Sequence, residues 1–456
     1  MTNELQKLVT WTDALDDVLE NLEGAEIALS NEGAGRKSSG SYYTPADVAD
    51  HFWRLFWRHH QVTDKASAVA FVDRTTFVEP SIGAGMFFFS LLRSLSNFGI
   101  GPTEARHLKF DGVDLNRAAL DFVAAQIADL ERIFEIGFKT VNLEQADFLK
   151  WVQARTFVDA AFVGNPPFVT NERGSRWKNL YADFLDNMLL HGDGARVGLI
   201  LPVSVCFSRD FVDLRRIIRD SALPLSASSY DNMPDYLFKA GKPESGNTNK
   251  ANSQRCTILN LGGPRDGIVE SSALLRWSST ERATFMASTP QFYDCRGFDL
   301  ERQIPRPVDQ SLACYLEEAS SGKTVREFMS RIGRGAFAVG AVARNFIGIR
   351  EYEGKAPGVI PVKTNDEDTS LILLQVLASD IFYKYWRSFG DGFHVTNDLI
   401  DRFPISKKLT FACEKNLNSA AQTWASREEF AKIKLNSGKK VKSYDFSSVF
   451  ARSPTA

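Results

Sequence analysis

From about Thr75 to Leu259 the chain alternates short apolar runs of β character with longer stretches whose apolar positions recur at helical spacing. That alternation predicts an α/β domain with a mostly parallel sheet. The strand-like runs are Thr75 to Val78, Phe110 to Val113, Thr140 to Gln145, Ala160 to Val163, Val197 to Leu201, Ser226 to Tyr230 and Cys256 to Leu261. Helices are predicted at about Met86 to Leu95, Arg117 to Ile133, Leu180 to Leu190 and Asp210 to Asp220. Seven strands predict a complete doubly wound sheet. Ahead of this block, Leu5, Leu8, Val9, Ala14, Leu15, Val18, Leu19 and Leu22 fall at helical spacing with acids on the other face, a helical preface over residues 1 to 34. Beyond it, residues 271 to 456 lose the clean alternation and form a third segment after 35 to 270. The stretch Ser370 to Trp386 is interrupted by Gln375, Asp380 and Lys384, which predicts a buried helix, and no apolar run reaches membrane-spanning length.

Chemistry gathers at the strand ends. The fourth run stops at Gly164-Asn165-Pro166-Pro167-Phe168. An amide, two prolines and an aromatic ring there predict a rigid loop delivered to a site. The Asn165 side-chain oxygen accepts from an amino group, and the Pro166 carbonyl is a second acceptor beside it. Phe168 offers a flat face for a heterocycle. A strand-to-loop turn with Phe168 packed in the core would use the same residues. After the first run, Glu79-Pro80-Ser81-Ile82-Gly83-Ala84-Gly85 carries glycines that let the backbone turn tightly and approach a ligand before a helix begins. The second run ends at Asp114, placed either to hold a ribose diol or to cap the helix near Arg117. The third ends at Asp147-Phe148, an acceptor and a ring suited to adenine. Upstream, Thr44 before Pro45 predicts a capped helix start.

Composition narrows the picture little: 456 residues at a formal net charge of −2 give no global sign of nucleic-acid binding. Its distribution is uneven. Residues 1 to 32 carry eight acids against Lys7 alone, and residues 405 to 456 carry ten Lys or Arg against four acids, a basic end that reads as a solvated tail or a local basic face. The five scattered cysteines include no Cys-x-x-Cys pair and no His at ligand spacing, so neither a disulfide framework nor a metal site is expected, and the reducing cytoplasm is the expected compartment.

Taken in order, Tyr43-Thr44-Pro45, Glu79-Pro80-Ser81-Ile82-Gly83-Ala84-Gly85, Asp114, Asp147-Phe148 and Asn165-Pro166-Pro167-Phe168 resemble the gamma-class N6-adenine DNA methyltransferases of restriction-modification systems. The resemblance covers about residues 35 to 270. It implies a Rossmann-like, seven-stranded methyltransferase sheet followed by a C-terminal DNA target-recognition region, with S-adenosylmethionine as cofactor. Tyr43, Thr44 and Pro45 would border the methionine end of the cofactor, with Glu79, Pro80 and the Gly83 and Gly85 backbone beneath it. Asp114 would hold the ribose, Asp147 and Phe148 the adenine, and Asn165 would lie against both cofactor and target. Asn165 and Pro166, followed by Pro167 and Phe168, would then receive the amino group of an adenine flipped out of double-stranded DNA. Phe168 would stack on one face of that base and Phe238, with Tyr236 as the fallback, on the other. The family more often has Tyr where Phe168 stands, and stacking needs only the ring. Asn165, where cytosine-N4 enzymes more often have Ser, favours adenine.

In the C-terminal segment Arg331, Arg334 and Arg344, interleaved with Phe337, Phe346 and Tyr352, read either as a phosphate-tracking stretch or as a solvated β-meander. A restriction endonuclease or specificity subunit is the partner the resemblance implies, and no membrane is expected. Methylation of RNA adenine or of a protein glutamine amide fits the same loop, as does a non-catalytic DNA-binding member of a defence complex.

Overall fold

The run Ala160–Gly164 is buried along its whole length, and its unbroken apolar character follows from a position inside a sheet covered on both faces. In the computed structural model, which describes residues 3–32, 44–172, 174–238, 254–330, 332–352, 354, 357–436 and 439–450, this strand is central to a nine-stranded sheet. Its strands are β1 (Thr76–Glu79), β2 (Lys109–Asp114), β3 (Thr140–Gln145), β4 (Ala160–Gly164), β5 (Arg196–Pro202), β6 (Leu225–Tyr230), β7 (Cys256–Leu261), β8 (Val269–Leu275) and β9 (Phe292–Asp294). Their order is β9-β8-β6-β7-β5-β4-β1-β2-β3. The strands from β3 to β5 pair parallel, and β7 inserts antiparallel between β5 and β6. All seven predicted strands are present within a residue or so. The sheet is nevertheless larger than the seven expected, because β8 and β9 extend it beyond β6. The Glu270-Ser271-Ser272 run inside β8 and the three-residue length of β9 leave little apolar pattern to read.

Chain order reverses at β1, whose neighbours are β2 on one side and β4 on the other. In open α/β sheets that switch point leaves a crevice at the carboxyl ends of the two strands. Here those ends are Glu79 and Gly164.

The helical preface is one helix, Asn3–Glu32, and Trp11, Leu15, Leu19 and Leu22 along one face are fully or almost fully buried. Trp11 meets Phe134 edge-on at 4.8 Å, and Asp16 pairs with Arg93 at 2.5 Å, so the preface is part of the first core. Helix Ala46–His59 buries Phe52, Trp53, Phe56 and Trp57. The indole N–H groups of Trp53 and Trp57 donate to Ser90 and Ser94, each at 3.0 Å, which lets two large rings enter the core without an unsatisfied donor.

The chain divides into two compact units, Met1–Ser271 with Leu275–Ile304, and Ser272–Leu274 with Pro305–Ala456. The second has its own core, which includes Phe337, Val339, Val362, Leu374, Phe382, Trp386 and Phe403. It contains a five-stranded antiparallel sheet of β10 (Arg334–Gly340), β11 (Ile349–Glu351), β12 (Val359–Thr364), β13 (Ala431–Asn436) and β14 (Lys439–Tyr444), ordered β12-β10-β11-β14-β13. Five of the ten basic residues of the basic end, Lys432, Lys434, Lys439, Lys440 and Lys442, therefore lie in a sheet hairpin. The single helix expected over Ser370 to Trp386 is two, Glu367–Leu377 and Asp380–Phe389. Ser379 divides them, because its hydroxyl accepts the Phe382 N–H as the second helix's cap. No helix among the described residues is long and apolar enough to cross a membrane.

Candidate functional site

Gly164 ends β4 at φ 141°, a conformation that favours glycine, and from there the chain turns into Asn165. A Cβ at Gly164 would sit 3.5 Å from Glu79 Cγ, an ordinary contact, so the backbone angle and not crowding calls for glycine there. The Asn165 amide nitrogen donates to Thr44 Oγ1 at 3.2 Å. That bond joins two motifs 121 positions apart and turns the amide oxygen to the other side of the group. It also corrects the expectation for Thr44: the cap position of helix Ala46–His59 is Pro45, with no side-chain capping bond, and the Thr44 hydroxyl serves the Asn165 loop. Ser81 Oγ donates to the Asn165 carbonyl at 3.4 Å, tying in the loop after β1.

That loop is built on backbone freedom. Gly83 and Gly85 have φ of 53° and 88°, and Gly85 opens helix Met86–Ser96. The Gly83 N–H donates to Asp114 Oδ2 at 2.9 Å, and Asn116 N–H donates to Oδ1 at 2.8 Å. Of the two roles open to Asp114, the helix cap is taken by Asn116, whose side chain accepts from Ala118 N–H. Burial holds the Asp114 carboxyl above its ordinary value, against the lowering effect of the N–H bonds from Asn116 and Gly83. Glu79 and Pro80, at the strand end beneath the loop, are buried.

Asp147 caps helix Phe148–Gln153 through a 3.1 Å bond from Leu149 N–H, and it lines a solvent-open cavity of about 500 Å³ with Leu149, Lys150, Gln153, Ser175 and Asp183. Phe148 is placed differently from the expectation of an exposed stacking face. Its ring is buried and packs against Phe184 at 4.8 Å, with Trp151 and Phe162 around it, because the first turn of that helix rotates it into the core. Tyr43 lies outside the described residues.

Phe168 and Phe238, 70 positions apart, meet edge-to-face at 6.2 Å and 69°. Pro166 is buried and Pro167 half-buried between Asn165 and Phe168. Tyr181, from helix Leu180–His191, braces the Phe168 ring from another side at 5.9 Å. The segment bearing Phe238 is held by Arg282, which no motif marks in the sequence. This side chain is 2% exposed and donates to the carbonyls of Tyr236 and Leu237, both at 2.8 Å. It also pairs with Asp47 at 2.6 Å, in the first turn of the helix that follows Thr44-Pro45. One guanidinium thus fixes both the segment before Phe238 and the helix after Thr44. At the start of the same segment Asp231 is bonded by Arg255 and Arg276 at 2.7 and 2.6 Å.

Of the three arginines singled out in the second unit, Arg331 and the Arg334 side chain lie outside the described residues, and Arg344 is exposed on the loop between β10 and β11.

No protein-family model matches the chain, and no curated protein does either. Among solved structures it is similar to the DrdV–DNA complex, at 15% identity and a TM-score of 0.44 over 67% of this chain and 35% of that one. It is similar to the Type IIL restriction-modification enzyme MmeI in complex with DNA at 12% identity and a TM-score of 0.46, over 86% of this chain and 72% of that one. A third is the type I restriction-modification system methyltransferase subunit from Streptococcus thermophilus, at 12% identity and a TM-score of 0.37, over 55% of this chain and 53% of that one. The chain spans about a third of the length of the DrdV chain. One fold hosts many chemistries, so activity is read from the site's own residues.

Proposed function

We propose that the chain is an S-adenosylmethionine-dependent methyltransferase that modifies N6 of adenine in double-stranded DNA, the modification component of a restriction-modification or related defence system. The observation that carries this reading is the Asn165-Pro166-Pro167-Phe168 loop at the end of β4, with the Asn165 amide oriented by Thr44 and Phe168 facing Phe238. The residues beside the switch point fit the cofactor: a glycine-turned loop after β1 whose Gly83 N–H meets the Asp114 carboxylate at the end of β2. Asp114 would hold the ribose and Asp147 the adenine, with Thr44, Pro45, Glu79 and Pro80 toward the methionine end. Bound there, the cofactor supplies an electrophilic methyl group on a sulfonium.

In this mechanism Asn165 Oδ1 and the Pro166 carbonyl accept the two N6 hydrogens of the flipped base. Holding both hydrogens moves the nitrogen lone pair out of the ring plane, toward the methyl donor. The N6 nitrogen would take the methyl group by direct displacement, its bond to carbon forming as the carbon–sulfur bond breaks, with the neutral thioether as leaving group and the surplus N6 proton passing to solvent. Near-attack positioning therefore does most of the work and no covalent enzyme intermediate is required. A base stacked on both faces needs two roughly parallel rings about 7 Å apart, two contact distances. The edge-to-face pair at 6.2 Å leaves no such slot, so Phe238 swings aside or rotates as the base enters.

Labelled methyl transfer to unmethylated genomic DNA, followed by nucleoside analysis, tests the proposal. N6-methyladenine is the expected product. N4-methylcytosine, or label found only in RNA or protein, would sink it.

The raised Asp114 pKa sets a pH dependence. The ionised carboxylate is the form that accepts from a ribose diol, so cofactor affinity should fall on acidification, beginning above the ordinary carboxylate value of 3.8. Fold stability moves the other way. A pKa raised in the folded state contributes stability that is fully present below the unfolded value and is lost as pH rises through the folded one. Calorimetric titration of S-adenosylmethionine across acidic pH should therefore show weakening affinity for the wild type and a flat profile for Asp114→Asn. An equal acid limb in the variant would assign the titration to another group.

A further inference from the structure

The hairpin of β13 and β14 carries an unusual charge pattern. Residues 431 to 444 contain Lys432, Lys434, Lys439, Lys440 and Lys442 and no acid. Antiparallel register sorts the described side chains by face: Lys432 lies opposite Ser443 and Lys434 opposite Val441, so these four share one face. Ile433 lies opposite Lys442 and shares the other face with Lys440. The two faces use their charge differently. On the second, Lys442 pairs with Glu428 at 2.5 Å, and the Tyr444 hydroxyl donates to the same carboxylate at 2.9 Å. On the first, Lys432 and Lys434 are exposed, and the Lys434 ammonium lies 4.9 Å from the centroid of the Phe346 ring. Arg344, two residues earlier in that loop, lies over Phe393 at 5.8 Å, and the adjoining His394 is exposed and bonded to Asp391 at 2.6 Å.

Lysines on an edge strand commonly guard it against pairing with another chain. That role accounts for Lys432 and Lys434 on β13. It does not account for Arg344, which lies on a loop next to β11, two strands in from the edge, nor for aromatic rings set beneath the cations. We infer that the face made by Lys432, Lys434 and Arg344, with Phe346 and Phe393 under the charges, binds the phosphate backbone of duplex DNA. A two-stranded ribbon has the dimensions of a major-groove reader, and cations on its outward face reach the flanking phosphates. The inference takes duplex DNA as the partner from the function proposed above, and it joins Arg344, read in the sequence as phosphate-tracking or as part of a solvated meander, to lysines of the basic end, read there as a solvated tail or a local basic face.

The test uses the full chain and fluorescence anisotropy with a labelled DNA duplex over a range of salt concentrations. Each phosphate contact adds about 0.9 to the slope of log Kd against log salt. The triple variant Lys432→Gln, Lys434→Gln, Arg344→Gln should therefore lower that slope by about 2 to 3. The opposite-face pair Lys440→Gln, Lys442→Gln should leave it unchanged. An unchanged slope in the triple variant, or equal losses in both variants, overturns the inference. So does a triple variant that self-associates by light scattering while keeping the wild-type slope, since its lysines would then only guard the edge. A wild type that shows no salt-dependent duplex binding also overturns it. A wild type that binds duplex with this lysine-dependent slope, yet transfers label to no DNA, would defeat the proposed function and leave the surface standing.

Discussion

Asn165→Ala is expected to lower kcat for methyl transfer by about 10²- to 10³-fold or more, the usual consequence of deleting one preorganised hydrogen-bonding group from a reacting centre. Cofactor affinity should stay within a few-fold, because the cofactor's ribose and adenine are assigned to Asp114 and Asp147 on other strands. The folding cost is small by comparison. The Asn165 Nδ2 to Thr44 Oγ1 bond at 3.2 Å that the variant loses is worth about 1 kcal/mol. Thr44→Val separates presence of the amide from its orientation: it keeps Asn165 but removes the acceptor, and should give a smaller fall in kcat, with any change in cofactor affinity read separately because Thr44 also borders the methionine end. Single-turnover kinetics and cofactor titration on the same preparations read both quantities. Undiminished kcat in Asn165→Ala, or loss of cofactor binding itself, would show that the catalytic loop has been misplaced.

Arg282→Met should cost more in stability than any other change considered, about 3 kcal/mol or more. Arg282 is 2% exposed, and its loss removes a donor from two carbonyls and the cation 3.6 Å from the buried Asp235 carboxylate, while Asp47, more than a third exposed, is left to water. Arg282→Lys keeps the charge without the planar fork and should recover only part of that, since lysine cannot serve two carbonyls and a carboxylate in one plane. Denaturant unfolding measures the stability. Kinetics on the lysine variant measure position: if Arg282 sets Phe238, kcat on DNA falls while the cofactor Kd holds. A lysine variant with lower stability but unchanged kcat would reduce Arg282 to a purely structural tie.

The strands were legible because their chemistry is local. Most of the seven runs are largely apolar, Thr140 to Gln145 and Ser226 to Tyr230 being polar exceptions, and each appears within a residue or so of its reading. The strand ends carry a readable signal too, since Gly83 and Gly85 free the backbone for positive φ while Pro166 and Pro167 fix it. What failed was anything decided by rotation about an element. Phe148 follows an acid at a strand end, as a stacking ring would, but one helical turn faces it to Phe184. Asp114 was read as a ribose ligand or the cap of the helix near Arg117, and the cap falls two residues later, on Asn116. Arg282 gave no signal, because a lone arginine looks the same in a sequence whether it is solvated or holds two segments together. The hairpin lysines left two readings open, a solvated tail or a local basic face, because a count does not sort side chains by β-sheet face as strand register does.

The slot that β7 fills has a consequence for synthesis. Since β7 pairs with both β5 and β6, those strands each expose an unsatisfied edge until Leu261 has left the ribosome. The parallel half from β3 to β5, with the Asn165 loop at its centre, has by then all its own strands in hand. A nascent chain therefore holds its substrate loop in near-final form while its sheet is still open on the far side, and over that interval the risk is strand pairing with a neighbouring chain.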